Sequence, residues 1–226
     1  MITTKDIRVI EDIAKKYFKE ASGCHDWSHI ERVRKIALRI GKQEKADLKI
    51  VEVAVLLHDI GRKFEMDHRG EKDGIKICHA IESKKEANKI LEKFKKITQA
   101  EKENILHAIE AHRHRNSLLP ATLEAKIVFD ADKLDSIGAV GVARDFLFAG
   151  SAGSDCLYTG NEKKLAKLGK DHSFTTEDSA ILEYEVKLKH LKNKMMTKSG
   201  KQLAIGRDKF MKDFFNVFWQ EVEGKR

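Results

Sequence analysis

Two aspartates and three histidines of this sequence stand where apolar side chains are expected. Residues three, four and seven positions apart share one face of a helix, and by that spacing His58 continues a stripe formed by Val51 and Val55. Asp59 lies four residues after Val55 and adjoins the same stripe. A buried carboxylate must be paired or bound to a cation, so an aspartate at this position is informative. The same spacing selects His29, His112 and Asp132 on three other predicted helices.

One shared cation would satisfy most of these five side chains at once. Imidazole nitrogens and carboxylate oxygens without a thiolate suit Mn, Fe, Co, Ni, Zn or Mg better than a structural zinc site. Among these divalent ions we expect manganese first. Four protein ligands would leave positions open for water and substrate, the arrangement that a hydrolytic metal needs. The alternative for each histidine is a hydrogen-bonded residue of the core.

The overall charge gives weaker information about the partner. The chain has 226 residues and a formal net charge of +8, from 44 basic and 36 acidic residues. A basic balance attracts polyanions such as nucleotides and nucleic acids. The lysines, however, alternate with glutamates, as in "ESKKEANKILEKFKK", which is typical of solvated helix faces. Nucleic acid is therefore a less favoured partner than a small phosphate compound.

Several observations favour a cytoplasmic protein over a membrane or secreted one. No stretch of 18 apolar residues is present, so no membrane span or membrane partner is expected. The N-terminal "MITTKDIRVIEDIAKKYF" carries charges where a signal peptide needs an apolar core. The three cysteines are far apart and form no C-x-x-C pair. These features predict a cytoplasmic protein with reduced thiols.

The pattern of the whole chain predicts an all-α fold. Only one proline occurs, and helical periodicity recurs in segment after segment. Asp26 is the expected N-cap of the second helix. We expect a single domain over 1–226, with a core at about 20–150, an irregular loop at about 150–176 and C-terminal helices at about 177–223. A second irregular stretch is expected at 61–78. The predicted helices cover 4–21, 26–43, 47–60, 79–95, 99–113, 121–135, 137–148, 177–195 and 203–223.

An aromatic stripe marks the last predicted helix. Phe210, Phe214 and Phe218 are spaced four residues apart, with Trp219 beside them. Such a stripe predicts core packing, either within the chain or against a second subunit. A homo-oligomer is therefore compatible with the sequence, and so is a substrate pocket lined by these rings.

Three segments together resemble the HD-domain superfamily of metal-dependent phosphohydrolases. They are "HDWSHIERV" (25–33), "LLHDIGRK" (56–63) and "IVFDADKLDSIGAVGVAR" (127–144). The resemblance implies a compact helical bundle, here with additional C-terminal helices, and the metal ligands His29, His58, Asp59 and Asp132. Asp132 is preferred to Asp130 because it precedes a basic residue and a leucine, and because Asp130 falls with Lys126 and Ile127 on a less enclosed face.

Further segments are similar to a stand-alone bacterial and archaeal subgroup of this superfamily. They are "HAIES" (79–83), "ILHAIEAH" (105–112) and "MTKSGKQLAIGRDKFMKDFF" (196–215). Some members of that subgroup are linked to nucleoside triphosphate pyrophosphohydrolysis. The (p)ppGpp hydrolase branch carries an acidic pair shortly after its His-Asp doublet, whereas this chain has Gly61, Arg62 and Lys63. The cyclic-di-GMP phosphodiesterase branch uses extra histidines for a second metal, and His79 and His112 leave a dinuclear site open.

The expected function is metal-dependent hydrolysis of a phosphate ester or anhydride in a nucleotide, with (d)NTP pyrophosphohydrolysis as one form. Asp59 would serve catalysis as well as metal binding, and His79 and His112 are candidates to orient water or protonate the leaving group. The alternatives are a nucleotide phosphomonoesterase, a phosphodiesterase, or a weakly catalytic module that binds nucleotide or nucleic acid. The candidates for phosphate binding are Arg32, Arg62, Lys63 and Lys133.

Overall fold

The computed structural model describes residues 1–19, 23–67, 78–113, 118–151, 153–154, 156–169 and 179–226. Every regular element in these ranges is an α-helix or a 3-10 helix, so the prediction of an all-α fold is confirmed. No helix in the described ranges is long and apolar enough to cross a membrane. The backbone divides into two compact units, residues 1–132 and 133–226. Each is described by itself, and the single domain over 1–226 stays a prediction.

The first unit is a helical bundle with α3 at its centre. Its elements are α1 (Thr4–Tyr17), a 3-10 turn (Gly23–His25), α2 (Trp27–Glu44), α3 (Leu48–Leu57), α4 (Arg62–Asp67), α5 (His79–Leu91), α6 (Gln99–Ala111) and most of α7 (Leu123–Asp135). α3 packs against α1, α2, α5 and α6. Val51 and residues 53–57 of α3 have no exposed surface. A helix that is buried on nearly all sides must be apolar almost throughout, as this one is.

Side-chain caps fix where the two helices that lead to the site begin. Asp26 caps α2 as predicted, because its carboxylate accepts a hydrogen bond from the backbone N–H of His29 at 3.2 Å. Asp47 caps α3 in the same way and accepts from the N–H groups of Lys49 and Ile50. Each cap satisfies backbone donors that the first turn of a helix leaves without a partner.

The stretch expected to be irregular at 61–78 begins with a helix instead. Its first residues form α4, and residues 68–77 lie outside the described part of the chain. Gly61 allows this arrangement because a Cβ atom there would lie 2.4 Å from the backbone nitrogen of Ser83 and 2.6 Å from the backbone oxygen of His79. The chain therefore turns directly against α5 after α3, and α4 starts at that contact.

The second unit is also helical, with boundaries that differ from those expected. It contains α8 (Gly138–Ser151), α9 (Glu162–Lys167), α10 (Ala180–Val186), a 3-10 helix (Leu188–Lys194) and α11 (Lys198–Val222). The predicted helix at 177–195 is interrupted at Lys187. The last helix begins at 198 rather than 203 because Thr197 caps it and accepts from the N–H of Gly200 at 2.9 Å. α9 lies within the predicted loop at 150–176, of which residues 152, 155 and 170–176 lie outside the described ranges.

The aromatic stripe of α11 packs partly into the core of the second unit. The rings of Phe214 and Phe218 lie 6.3 Å and 6.4 Å from the ring of Phe146, and Phe215 stacks on Tyr184 at 4.2 Å. Phe210 does not share this packing, since 45% of its surface is exposed. The buried face of α11 is shifted by one residue from the predicted stripe and includes Met211 and Phe215.

Candidate metal centre

Helix ends bring the candidate ligands together in the first unit. His29 lies in the first turn of α2, His58 directly follows α3, and His112 directly follows α6. His79 is the first residue of α5. All four side chains are buried, with His29 and His58 fully enclosed. The histidines therefore converge from different helices on one small volume.

A hydrogen-bonded anchor near the start of α7 helps to place the fourth predicted ligand. Glu124 accepts from the backbone N–H of Asp47 at 3.0 Å and from the side chain of Asn104 at 2.9 Å. This ties α7 to the beginning of α3 and to α6. Asp132 follows two turns later on the same helix, and its Oδ1 lies 3.4 Å from Nε2 of His29.

We call His29, His58, Asp132 and Oδ2 of Asp59 the first donor set. Nε2 of His29 and Nε2 of His58 each lie 3.8 Å from Oδ2 of Asp59. Nε2 of His58 lies 4.0 Å from Oδ1 of Asp132. The structure thus brings together all four residues predicted as metal ligands. Their role as ligands stays a prediction.

We call His79, His112 and Oδ1 of Asp59 the second donor set. The Nε2 atoms of His79 and His112 lie 3.3 Å apart. Oδ1 of Asp59 lies 3.5 Å from the first and 3.4 Å from the second. Each oxygen of the Asp59 carboxylate therefore faces a different group of histidines.

Backbone carbonyls determine the tautomers of two of these histidines. Nδ1 of His58 lies 2.7 Å from the carbonyl oxygen of Val55, and Nδ1 of His112 lies 2.5 Å from that of Ile109. A carbonyl oxygen only accepts hydrogen bonds, so each Nδ1 carries the proton and each Nε2 keeps its lone pair. A histidine in this tautomer, with its other ring nitrogen hydrogen-bonded to an acceptor, is ready to bind a metal through Nε2.

The donor atoms fit a divalent cation. Within the described ranges, Nε2 of His58 and Oδ1 of Asp59 are buried and make no hydrogen bond. Such buried polar atoms are costly unless an ion or another partner satisfies them. Adjacent ligands of one ion bound at about 2.0–2.2 Å lie about 3 Å apart, and the shortest separations in both sets approach that value. The side chains present therefore match the group that the sequence led us to expect.

The charge states also favour a cation. Burial lowers the pKa of His58 to about 4 and that of His79 to about 3, so both imidazoles are neutral near pH 7. Burial alone would raise the pKa of Asp59, but the charge of Arg62 holds it well below its usual range. The centre therefore presents neutral nitrogens and an ionised carboxylate.

Three further residues that border the centre were not predicted from the sequence: His25, Glu65 and Arg113. Nδ1 of His25 lies 3.5 Å from Oδ2 of Asp59, and the pKa of His25 is lowered to about 3, chiefly by burial. Its position four residues before His29 was the available signal. Glu65 lies 2.8 Å from Nδ1 of His79 and also binds Arg113 at 2.8 Å. Hydrogen bonds to His79 and nearby positive charges, acting against burial, lower the pKa of Glu65 to about 2.

The predicted phosphate-binding residues differ in their placement. Nε of Arg62 donates to Oδ2 of Asp59 at 3.0 Å, which brings this side chain to the centre. Arg32 donates to Oγ of Ser28 at 2.8 Å on the exposed side of α2. Lys63 is exposed, and Lys133 is the first residue of the second unit. Substrate binding by these four residues stays a prediction.

One argument from the sequence about α7 was wrong. Asp130 was expected on a less enclosed face than Asp132. Instead, Asp130 has no exposed surface, whereas 8% of the surface of the whole residue Asp132 is exposed. Nearly every residue from 125 to 135 is buried, so burial does not distinguish the two aspartates. The distances to His29 and His58 do identify Asp132 as a member of the first donor set.

Comparison with known proteins agrees with this geometry. The family model described as the HD domain matches residues 26–137. The uncharacterized protein YpgQ of Bacillus subtilis is 33% identical over 97% of each chain. A solved structure named as an HD-superfamily hydrolase, from Bacillus thuringiensis, has 28% identity, 97% coverage of both chains and a TM-score of 0.68. The chain belongs to the HD-domain family. Membership of this family supports the general activity of a metal-dependent phosphohydrolase.

Two other similarities concern proteins whose names mention a ligand or a substrate. The crystal structure of Bacillus subtilis YpgQ in complex with ADP has 29% identity and a TM-score of 0.67, and the match covers 96% of this chain and 95% of that one. Ribonuclease Y of Borrelia garinii is 30% identical over 58% of this chain and 22% of its own length. The second similarity is thus confined to part of each protein.

Proposed function

We propose that this HD-domain protein is a metal-dependent hydrolase of nucleotides and that its first substrate class is the nucleoside triphosphates, cleaved to a monophosphate and pyrophosphate. The observation that carries the proposal is the position of Asp59, whose two carboxylate oxygens face two groups of buried nitrogen and oxygen donors. The complex of the relative YpgQ with ADP supports a nucleotide as the ligand.

The first donor set would hold the ion, with manganese as the first candidate. A divalent ion bound there supplies a Lewis acid for a phosphoryl oxygen and lowers the pKa of a bound water. His29, His58, Asp59 and Asp132 would act as its ligands. The second donor set supports a second ion that shares Asp59, because its three acceptors also converge.

The exposed edge of the centre indicates where substrate approaches. The side chains of His25 and Arg62 expose 25% and 22% of their surface, and that of Asp132 exposes 12%. Those of His79 and His112 expose 4% and 1%. Phosphate would therefore enter beside Arg62, whose guanidinium is held by Asp59 and can stabilise charge on phosphate oxygens. The enclosed histidines would contact water rather than a bulky leaving group.

A phosphodiester is the second candidate substrate. The partial similarity to Ribonuclease Y favours it, although only 58% of this chain takes part in that match. Phosphomonoester cleavage of a nucleoside monophosphate stays a further alternative at the same centre. The products separate all three: pyrophosphate from a triphosphate, orthophosphate from a monophosphate, and shortened strands from RNA.

The test is a substrate panel read out by chromatography. Nucleoside mono-, di- and triphosphates, their deoxy forms and a short RNA would each be incubated with Mn, Mg, Co, Ni or Zn. We expect pyrophosphate release from triphosphates, dependent on the added metal and lost in the His58→Ala variant. Shortened RNA or orthophosphate alone would replace the triphosphate proposal by one of the alternatives. No turnover of any compound with any metal would overturn hydrolysis itself.

A further inference from the structure

We propose that Glu65 is a positioning residue that holds His79 as the Nδ1–H tautomer and turns its Nε2 lone pair toward Asp59 and His112. The inference concerns a side chain outside both donor sets. Its effect on hydrolysis rests on the proposed function, whereas the tautomer itself can be measured without any substrate.

The need for such a residue follows from where His79 lies in its helix. His58 and His112 follow the ends of α3 and α6, where free backbone carbonyls are available to accept from Nδ1. His79 is the first residue of α5, where the unsatisfied backbone groups are N–H donors. A side-chain acceptor must therefore replace the carbonyl, and Oε2 of Glu65 lies 2.8 Å from Nδ1 of His79.

Two arginines keep the Glu65 carboxylate an acceptor. Nη1 of Arg113 donates to Oε1 at 2.8 Å, and Nη1 of Arg62 donates to Oε2 at 3.3 Å. Charge-assisted donors of this kind favour the ionised carboxylate, which can only accept. The proton shared by Glu65 and His79 therefore belongs to Nδ1 of His79.

The other ring nitrogen of His79 must then carry a lone pair. Nε2 faces Nε2 of His112 at 3.3 Å and Oδ1 of Asp59 at 3.5 Å. In this tautomer Nε2 accepts a hydrogen bond from water or binds a cation, and it has no proton to give to a leaving group. Of the two roles expected for His79, the geometry thus favours orienting water over acid catalysis.

The decisive measurement is the tautomer of His79 in the metal-free protein, from long-range proton–nitrogen correlation NMR on the full chain with labelled histidine. The His79→Gln variant assigns the signals. We expect Nδ1–H in the wild type and a mixed or Nε2–H tautomer in Glu65→Ala. His58 and His112 should keep Nδ1–H in both, because backbone carbonyls hold them. Glu65→Gln, whose amide oxygen can still accept, should restore most of the Nδ1–H form.

A matched control is Glu82→Ala. Glu82 lies on α5, as His79 does, but it pairs with Lys85 on the exposed side of that helix. The proposal would be overturned if the tautomer of His79 were unchanged in Glu65→Ala, or if His79 carried its proton on Nε2 in the wild type. The wild-type measurement decides even if Glu65→Ala does not fold. On active protein, Glu65→Ala should lower kcat by about 10–100-fold with little change in KM. If no nucleotide is hydrolysed, the proposed function fails while the NMR result still tests Glu65.

Discussion

Nε2 of His79 and Nε2 of His112 lie 3.3 Å apart in the first unit, and both approach the same oxygen of Asp59. The hydrogen bonds at the opposite ring nitrogens leave a lone pair on each of these atoms. Three electron-pair donors thus face one another in a buried space without a proton between them. Such an arrangement is repulsive by itself and becomes favourable when a cation is bound.

Removal of Asp59 should therefore affect both donor sets. We expect Asp59→Ala to lower bound metal, measured by plasma mass spectrometry, and to abolish hydrolysis while circular dichroism shows unchanged helical content. Asp12→Ala, at an exposed position of α1, is the matched control and should keep wild-type values. Full metal-dependent activity in Asp59→Ala would show that the assigned centre is wrong.

Metal binding should stabilise the folded chain. A ligand that binds only the native state adds about 2.7 kcal/mol to the free energy of unfolding at one hundred times its Kd. We expect added manganese to raise the Tm of the metal-free wild type in differential scanning calorimetry. Asp132→Asn should lose most of this shift, because one carboxylate of the first donor set is removed. Without added metal, its Tm should match that of the metal-free wild type. An equal shift in both proteins would place the ion elsewhere.

The metal-free protein should lose stability as the pH falls from about 6.5 toward 4. The pKa of His58 in the folded chain is about 4, and those of His25 and His79 are about 3, whereas unfolded histidine titrates near 6.5. Below pH 6.5 the unfolded chain thus binds more protons, and the free energy of unfolding falls by up to about 1.4 kcal/mol per histidine and pH unit.

Urea titrations between pH 7.5 and 5 would measure this slope. His58→Gln should reduce it, because one of the neutral buried imidazoles is removed. A flat profile over that range would mean that these histidines are accessible to protons in the folded chain.

Substitutions at Gly61 and Gly150 distinguish the effect of close packing on stability from that of helix propensity. In Gly61→Ala the new Cβ atom would meet the backbone of Ser83 and His79 at 2.4 Å and 2.6 Å. We expect a loss of about 1–3 kcal/mol in the free energy of unfolding, with weaker activity because α4 and α5 must separate. Gly150→Ala in α8 meets no atom within 4 Å and should gain up to about 1 kcal/mol. Chemical denaturation of both variants gives the comparison.

Helical periodicity was sufficient to predict the all-α fold and to select His29, His58 and Asp59 of the first donor set. The reason is that those residues lie on regular helices whose buried faces repeat along the chain. The spacing rule did not separate Asp130 from Asp132, because α7 is buried on nearly all sides. The spacing rule also carried no information about Glu65. This residue lies in the short helix α4, in a stretch that was expected to be irregular.

The contacts of Glu65 show what periodicity cannot reveal. Its partners His79 and Arg113 are distant in the sequence, and they meet only after α4, α5 and α6 have packed. The boundaries in the second unit were also missed, because the interruption at Lys187 has no proline or glycine to mark it. Capping by Thr197 could have been recognised, since a threonine before a helical stretch is a favoured N-cap.

The separation of the candidate ligands along the sequence has a consequence for folding of the protein. Residues 30–131 separate His29 from Asp132, so an ion held by both would act as a cross-link that closes a long loop. The unfolded chain could not offer these donors together. Metal would be captured only after α7 has docked beside α2 and α3, and its uptake would therefore report the completion of folding.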